Sequence, residues 1–124
     1  MWAYGCVLAE MLLLRPLLPG TSSTNQLILT MRLRGTPTPA QVRDMNPNYP
    51  FLDAASLPKL PKRDLSTVLP PRTPSGLTQL VDDLLVYSPS QRHTAQQVRS
   101  YLADVLLISM QSLELLFNIA VCRL

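Results

Sequence analysis

The stretch that decides the fold is WAYGCVLAEMLLL, residues 2–14. Apolar residues fall on nearly every face of the helix that it predicts, a pattern typical of a helix buried inside a larger body. The stretch is too short to cross a bilayer, which takes about 20 residues. Arg15-Pro16 follows and ends the helix, because the residue before a proline is disfavoured in helical geometry. The sequence therefore predicts a core helix that other elements surround.

Four further helices are predicted along the chain: residues 25–34, residues 39–45, residues 75–86 and a last helix that Thr94 caps. Ser23 or Thr24 is the expected cap of the first of these, and Gly35 is its expected stop. Ser75 is the expected cap of the helix over 75–86. Residues 46–74 are rich in proline and show no sustained period, so we expect an irregular segment there. No strand pattern is convincing, and the predicted fold class is all-α.

The tail over residues 103–124 has apolar residues at helical spacing and polar residues on the opposite face. This pattern predicts a divergent helical tail. Its interior polar residues Asp104, Gln111 and Glu114 argue against a membrane span. We therefore predict two regions, residues 1–102 and residues 103–124.

The composition indicates a folded chain with apolar surface that something else covers, because 47% of the residues are hydrophobic and only 15% are charged. The basic residues behind the net charge of +3 are scattered and form no stripe with aromatics, so no nucleic-acid partner is expected. Cys6 and Cys122 lie at opposite ends and His93 is the single histidine, so neither a zinc site nor a structural disulfide is expected. The N-terminus has no signal-peptide pattern, which favours a cytoplasmic or nuclear location.

Three local signatures then occur in one order: WAYGCVLAEML at residues 2–12 with RPLLPG at 15–20, NQL at 25–27 with GTPT at 35–38, and LLVYSPSQRHTA at 84–95. In register they resemble the C-terminal lobe of eukaryotic Ser/Thr protein kinases of the cyclin-dependent, mitogen-activated and glycogen synthase kinase group. The resemblance covers residues 1 to about 100 and implies an incomplete all-α C-lobe. QVRDMNPNY at 41–49 is similar to glycogen synthase kinases and KRDLS at 62–66 to the cyclin-dependent branch, so the subfamily stays open.

The resemblance also bears on activity. Kinases of this family transfer phosphate with ATP and magnesium, held by a glycine-rich loop, a strand lysine and acidic residues. These motifs lie upstream of the Trp2 signature in the family, and the sequence contains no G-x-G-x-x-G, H-R-D or D-F-G. We therefore expect a catalytically inactive, truncated kinase with no catalytic, cofactor or metal residue. ATP and magnesium would belong to the intact parent, whose N-terminal part is the expected partner of this chain.

The motif register assigns structural roles to Trp2, Gly5 and Arg92. Arg92 resembles the arginine that pairs, inside the lobe, with the glutamate of an A-P-E motif that this chain lacks. Val7 and Met11 match positions beneath the adenine pocket of the family, but simple core packing is the favoured description here.

Two alternatives remain open at the level of the sequence. The first is a partner-binding module, in which the helix over 25–34 and the loop over 46–52 form a groove for an amphipathic helix of a scaffold protein. Ile28 and Tyr49 fall on the matching positions, and Phe51 or Leu52 would supply a third contact, unless these side chains merely cover the chain's own core. The second alternative is a gene-fragment product without function.

Overall fold

The computed structural model describes residues 1–48 and 57–105. The elements in chain order are α1 (Trp2–Leu13), α2 (Ser23–Arg34), α3 (Pro39–Met45), the 3-10 turn η1 (Leu65–Thr67), α4 (Ser75–Leu84) and the 3-10 turn η2 (Pro89–Gln91). Residues 95–105 are also helical. Within the described ranges, the only β-type pairing is an isolated bridge between Arg34 and Lys62. The all-α prediction is confirmed.

The helix ends show which local signals the chain uses. Ser22, one residue before the predicted cap, accepts a hydrogen bond from the Asn25 N–H at 3.2 Å and starts α2. Gly35 ends α2 as predicted, with a φ of 79° that favours glycine. Thr38 and Gln41 form a reciprocal capping box at the start of α3, which confirms the helix predicted over 39–45.

Two predicted details of α4 are wrong. Ser75 is its first helical residue rather than its cap, and Pro74 occupies the cap position without any side-chain hydrogen bond. A proline sits readily at a helix start because its φ is already fixed and it has no N–H to satisfy. The helix ends at Leu84 and not at residue 86, because the backbone of Leu85 has left helical geometry.

The core forms where α4 packs against α1 and against the turn η1. Six buried side chains make its centre: Ala9, Leu33, Leu65, Leu69, Val81 and Leu85. A Cβ atom on Gly5 would lie 2.8 Å from the Leu84 Cβ, so the absence of a side chain allows the two helices to approach this closely. Only this side of α1 is buried, at Gly5 and Ala9.

The proline-rich segment returns to the C-terminal end of α2. The Thr36 N–H donates to the Leu60 carbonyl at 3.0 Å, and the Arg63 N–H donates to the Leu33 carbonyl at 3.0 Å. Leu65 and Leu69 then enter the core. The described part of this predicted irregular segment is irregular apart from η1, and it is held in place by its backbone hydrogen bonds and buried leucines.

The chain divides into two compact units, Met1–His93 and Thr94–Leu124. In the second unit, the Thr94 hydroxyl accepts from the Gln97 N–H at 3.3 Å, and the Gln97 side chain accepts from the Thr94 N–H at 2.8 Å, so the predicted cap is confirmed. Most of the predicted tail, residues 106–124, lies outside the described residues, and the division at residue 102 stays a prediction. None of the described helices is long and apolar enough to cross a membrane.

Candidate functional site

A cleft of about 540 Å³ opens in the first unit between the start of α1, α2, α3 and η2. Apolar side chains supply most of its wall, among them Trp2, Leu27, Val42 and Met45. Arg92 is the single charged residue among those lining it. The cleft therefore combines an apolar wall with one positive charge.

Short polar contacts position the elements around the cleft. The Ser90 hydroxyl of η2 donates to the Asp44 carboxylate of α3 at 2.8 Å. The Gly20 N–H donates to the Gln26 side chain of α2 at 3.0 Å, which fixes the turn after α1. Each contact joins elements that are distant along the chain or separated by a turn, so the cleft is a product of the fold.

Tyr87 is one of the residues that line the cleft, and it brings the three sequence signatures together. Its ring stacks on Trp2 with a centroid distance of 6.4 Å and an interplanar angle of 23°. Its hydroxyl donates to the Gly35 carbonyl at 2.7 Å. Burial raises the pKa of Tyr87 to about 12, against a smaller opposing effect of Arg34. The phenol therefore stays protonated and serves as a fixed donor between the last signature and the second.

Arg92 makes more contacts inside the chain than the sequence predicted. Its Nη2 donates to the carbonyls of Val86 at 2.9 Å and Tyr87 at 3.2 Å, and its Nε donates to Val86 at 3.2 Å. The guanidinium carbon lies 5.3 Å from the Trp2 ring centroid, within cation–π range. Burial lowers the pKa of this guanidinium. The group expected to lack its partner is thus held by backbone carbonyls, while its Nη1 makes no hydrogen bond within the described residues.

The residues predicted to form a groove for a scaffold-protein helix are only partly described. Ile28 is half-buried on α2, and its neighbour Leu27, not Ile28, lines the cleft. Tyr49, Phe51 and Leu52 lie outside the described residues. The scaffold-helix groove therefore stays a prediction.

Sequence reasoning missed Asp82, which joins three segments. Its carboxylate accepts from Arg34, whose side chain is 8% exposed, and from Lys62 at 2.6 Å. Burial pushes the pKa of Asp82 up, but the hydrogen bonds from Lys62 and Arg34 together outweigh burial and hold the pKa below its usual range. The partners are 20 and 48 residues away along the chain, so no local pattern could have indicated the pairing.

The described residues offer no evident redox or metal chemistry. No three of their His, Cys, Asp or Glu side chains lie close enough together to hold a metal ion. Cys6 is a half-buried free thiol whose pKa burial raises. A raised pKa disfavours the thiolate, which is the nucleophilic form.

The outward side of α1 is the second notable surface. Tyr4, Val7 and Met11 are 42%, 54% and 69% exposed, and Leu14 continues the apolar row beyond the helix end. Val7 and Met11, predicted to pack in a core, therefore face outward, because the described part of this chain places a covering element on the Gly5 side only. Contiguous exposed apolar side chains of this kind mark interaction surfaces.

The comparison with known proteins agrees with the three signatures. Mitogen-activated protein kinase 15 of Mus musculus is 37% identical to this chain over 97 residues, which cover 78% of this chain and 18% of the relative. The chain thus spans about a fifth of the length of this curated relative. No family model matches the chain. Its matched residues and helical fold make it a relative of the Ser/Thr protein kinases of the cyclin-dependent, mitogen-activated and glycogen synthase kinase group.

Proposed function

We propose that this chain is a non-catalytic segment of a kinase C-lobe, and that the outward side of α1 is the surface on which the rest of a kinase domain packs. The exposed apolar row Tyr4, Val7, Met11 and Leu14 carries this proposal. A helix that is apolar on opposite sides is typical of the interior of a larger body. The inner side of α1 is satisfied by α4, which leaves the outer side for a further part of the domain.

The cleft beside Arg92 supports the same proposal. Arg92 keeps one nitrogen, Nη1, free of hydrogen bonds within the described residues, at the border of an apolar cleft. A carboxylate is the natural partner of a partly buried guanidinium. The family resemblance supplies one candidate, the glutamate of the A-P-E motif, which the rest of the domain would bring.

The surface proposal is tested by titrating the chain with the separately produced upstream part of the mouse relative's kinase domain. We expect binding to the wild type and a large loss of affinity for the double variant Val7→Gln/Met11→Gln. The matched control is Arg32→Gln, an exposed change on α2 away from this surface. Equal affinity of the wild type and the double variant, or no binding to either, would reject the proposed surface.

The absence of catalysis by this chain alone is tested with ATP. The sequence lacks the glycine-rich loop, the catalytic aspartate and the metal-binding motif that hold ATP and magnesium in this family. A ligand that binds only the native state raises its stability by RT ln(1 + [L]/Kd), so millimolar MgATP should leave the melting temperature unchanged. A reproducible rise of several degrees contradicts this part of the proposal.

The transferase activity, the ATP and magnesium of the intact parent, and a cytoplasmic or nuclear location are proposals that rest on the kinase relationship. The partner-binding alternative has one described residue in its support, the half-buried Ile28 on α2. A scaffold-derived helical peptide that binds the wild type, and binds Tyr49→Ala much more weakly, would favour that alternative.

A further inference from the structure

Four Ser or Thr residues of the chain are followed directly by proline: Thr36, Thr38, Thr73 and Ser88. A Ser or Thr before proline is the pattern that proline-directed Ser/Thr kinases phosphorylate. The residue before a proline is restricted to extended backbone, which gives these sites a common local shape. The sequence pattern does not rank the four sites, but the structure separates them by residue burial and by the hydrogen bonds of the side chains.

Two of the four sites are closed in the folded chain. Ser88 is buried, with 3% of its surface exposed. The Thr36 hydroxyl donates to the Pro58 carbonyl and accepts from the Leu60 N–H at 2.8 Å, and Pro37 beside it is buried. Phosphorylation at either position requires the surrounding structure to open.

Thr38 is exposed, but its hydroxyl has a structural role. It accepts from the Gln41 N–H at 3.2 Å, and the Thr38 N–H donates to the Gln41 side chain at 2.8 Å. A kinase that draws Thr38 into its active site would have to break this capping box and the start of α3. Loss of such a cap costs about 1 kcal/mol of helix stability. Thr38 is therefore harder to phosphorylate in the folded chain than Thr73.

Thr73 differs from Thr36 and Thr38 in the hydrogen bonding of its hydroxyl. Its side chain is half-buried, while its neighbours Pro70, Pro71, Arg72 and Pro74 are all exposed. The hydroxyl forms no hydrogen bond within the described residues, and the backbone N–H makes a single turn bond to the Pro70 carbonyl at 2.9 Å.

The backbone around Thr73 is also easy to release. Three of the five residues from 70 to 74 are prolines, which have no N–H to donate. Segments with few backbone hydrogen bonds and few buried contacts open at low free energy. The segment before Pro74 can therefore open at low free energy, while the Pro74 carbonyl accepts from the Thr78 N–H at 3.1 Å at the start of α4.

We propose that Thr73 is a phosphorylation site for a proline-directed Ser/Thr kinase. The Thr73 hydroxyl oxygen attacks the γ-phosphorus of the kinase's ATP, the bond from that phosphorus to the ADP oxygen breaks, and ADP leaves. The hydroxyl proton passes to the catalytic aspartate of the modifying kinase. The site is independent of the function proposed above.

The charges around Thr73 favour a phosphate group at this position. A phosphothreonine carries about −1.5 to −2 charges at neutral pH. The first turn of α4, which begins two residues later, contains no acidic residue and no side-chain cap. Arg72 is exposed directly beside the site. Negative charge near a helix N-terminus is favourable, so the modification does not oppose the fold.

The test treats the folded chain with an active cyclin-dependent kinase and radiolabelled MgATP, followed by mapping of modified residues by mass spectrometry. We expect the phosphate on Thr73, loss of most incorporated label in Thr73→Ala and in Pro74→Ala, and retention of label in Thr73→Ser. Thr38→Ala is the matched control and should keep the label. A second sample is unfolded in urea, digested briefly with trypsin and diluted into the same reaction. In this digest Ser88 and Thr36 should be labelled as additional substrates.

Unchanged labelling of Thr73→Ala would overturn the proposal, as would labelling of Ser88 or Thr36 in the folded chain at the level of Thr73. Thermal melts of each variant keep the result interpretable, because Thr73 is only half-buried and Pro74 is exposed, so that substitutions there should leave the melting transition in place. A variant that loses both its label and its melting transition is replaced by Thr73→Val, which keeps the shape of the side chain and removes the hydroxyl. Label retained on that variant would also reject the site.

Discussion

α1 and α4 pack against each other, but they differ in what they present on their opposite sides. The inner face of α4 carries Leu80, Val81 and Leu84, all fully buried, and its outer face carries polar residues such as Gln79 and Asp83. α4 is thus amphipathic and complete within the described chain.

α1 is different. Gly5 and Ala9 make its buried face, and Tyr4, Val7 and Met11 make an equally apolar face that is exposed. Within the described residues, α4 is packed along its apolar face, whereas α1 is packed on only one of its two apolar sides. The 97 residues that match the mouse kinase cover 18% of that protein.

The largest expected effect comes from emptying the shared core. Leu84→Ala removes a side chain that is fully buried between α4 and α1, and such truncations cost about 2–5 kcal/mol of unfolding free energy. Met11→Ala, on the exposed face of α1, should change it by no more than about 0.5 kcal/mol. Chemical denaturation measures both, and similar losses in the two variants would show that α1 is buried on both sides.

Next in size is the close approach at Gly5. Gly5→Val places new atoms against the Leu84 Cβ, where a Cβ alone would come within 2.8 Å. Overpacking of this kind costs about 1–3 kcal/mol. Ala3→Val is the matched control, since Ala3 is exposed on the same helix. A thermal melt in which both variants match the wild type would contradict the contact between α1 and α4.

Part of this arrangement was predictable from the sequence. The helix over 39–45, the cap at Thr94 and the stop at Gly35 were predicted from local sequence signals, but the capping box of Thr38 and Gln41 was not. The cap of α4 was assigned to Ser75 because serine is a common cap, while Pro74 takes the position without a side-chain bond.

The candidate site was less predictable. Trp2, Gly5 and Arg92 were identified by register, but the carbonyl partners of Arg92 and the role of Asp82 were not. Each depends on segments that meet only after folding, and which face of α1 is covered cannot be read from a helix that is apolar all round. Long-range pairing leaves no local periodicity to detect.

A smaller effect is expected at the ion pairs that attach α4 to α2. Asp82→Asn removes the partner of Arg34, whose side chain is 8% exposed, and of Lys62. Loss of hydrogen bonds to charged groups costs about 1.5–3 kcal/mol, reduced here because Lys62 is half-exposed. Asp83→Asn is the control, since the described residues give Asp83 a hydrogen bond from Gln79 at the exposed surface and no ion pair.

The contribution of Asp82 to the free energy of unfolding should depend on pH. The pKa of Asp82 is lower in the folded chain than its ordinary value of about 3.9, so its stabilising contribution is present above that value. The contribution is lost as the pH falls from about 4 through the folded pKa. Between pH 6 and pH 3, the free energy of unfolding from denaturation curves should therefore fall more for the wild type than for Asp82→Asn. Parallel losses would contradict the ion pairs.

The most direct test of the central claim, that the outer side of α1 is an uncovered packing surface, compares the wild type with Val7→Gln/Met11→Gln. Binding of a hydrophobic dye and sedimentation velocity are measured on both at equal concentration. The wild type should bind the dye and associate, while the double variant should lose most of both and keep the wild-type melting temperature. A monodisperse, dye-free wild type, or a double variant that behaves identically to it, would contradict the claim.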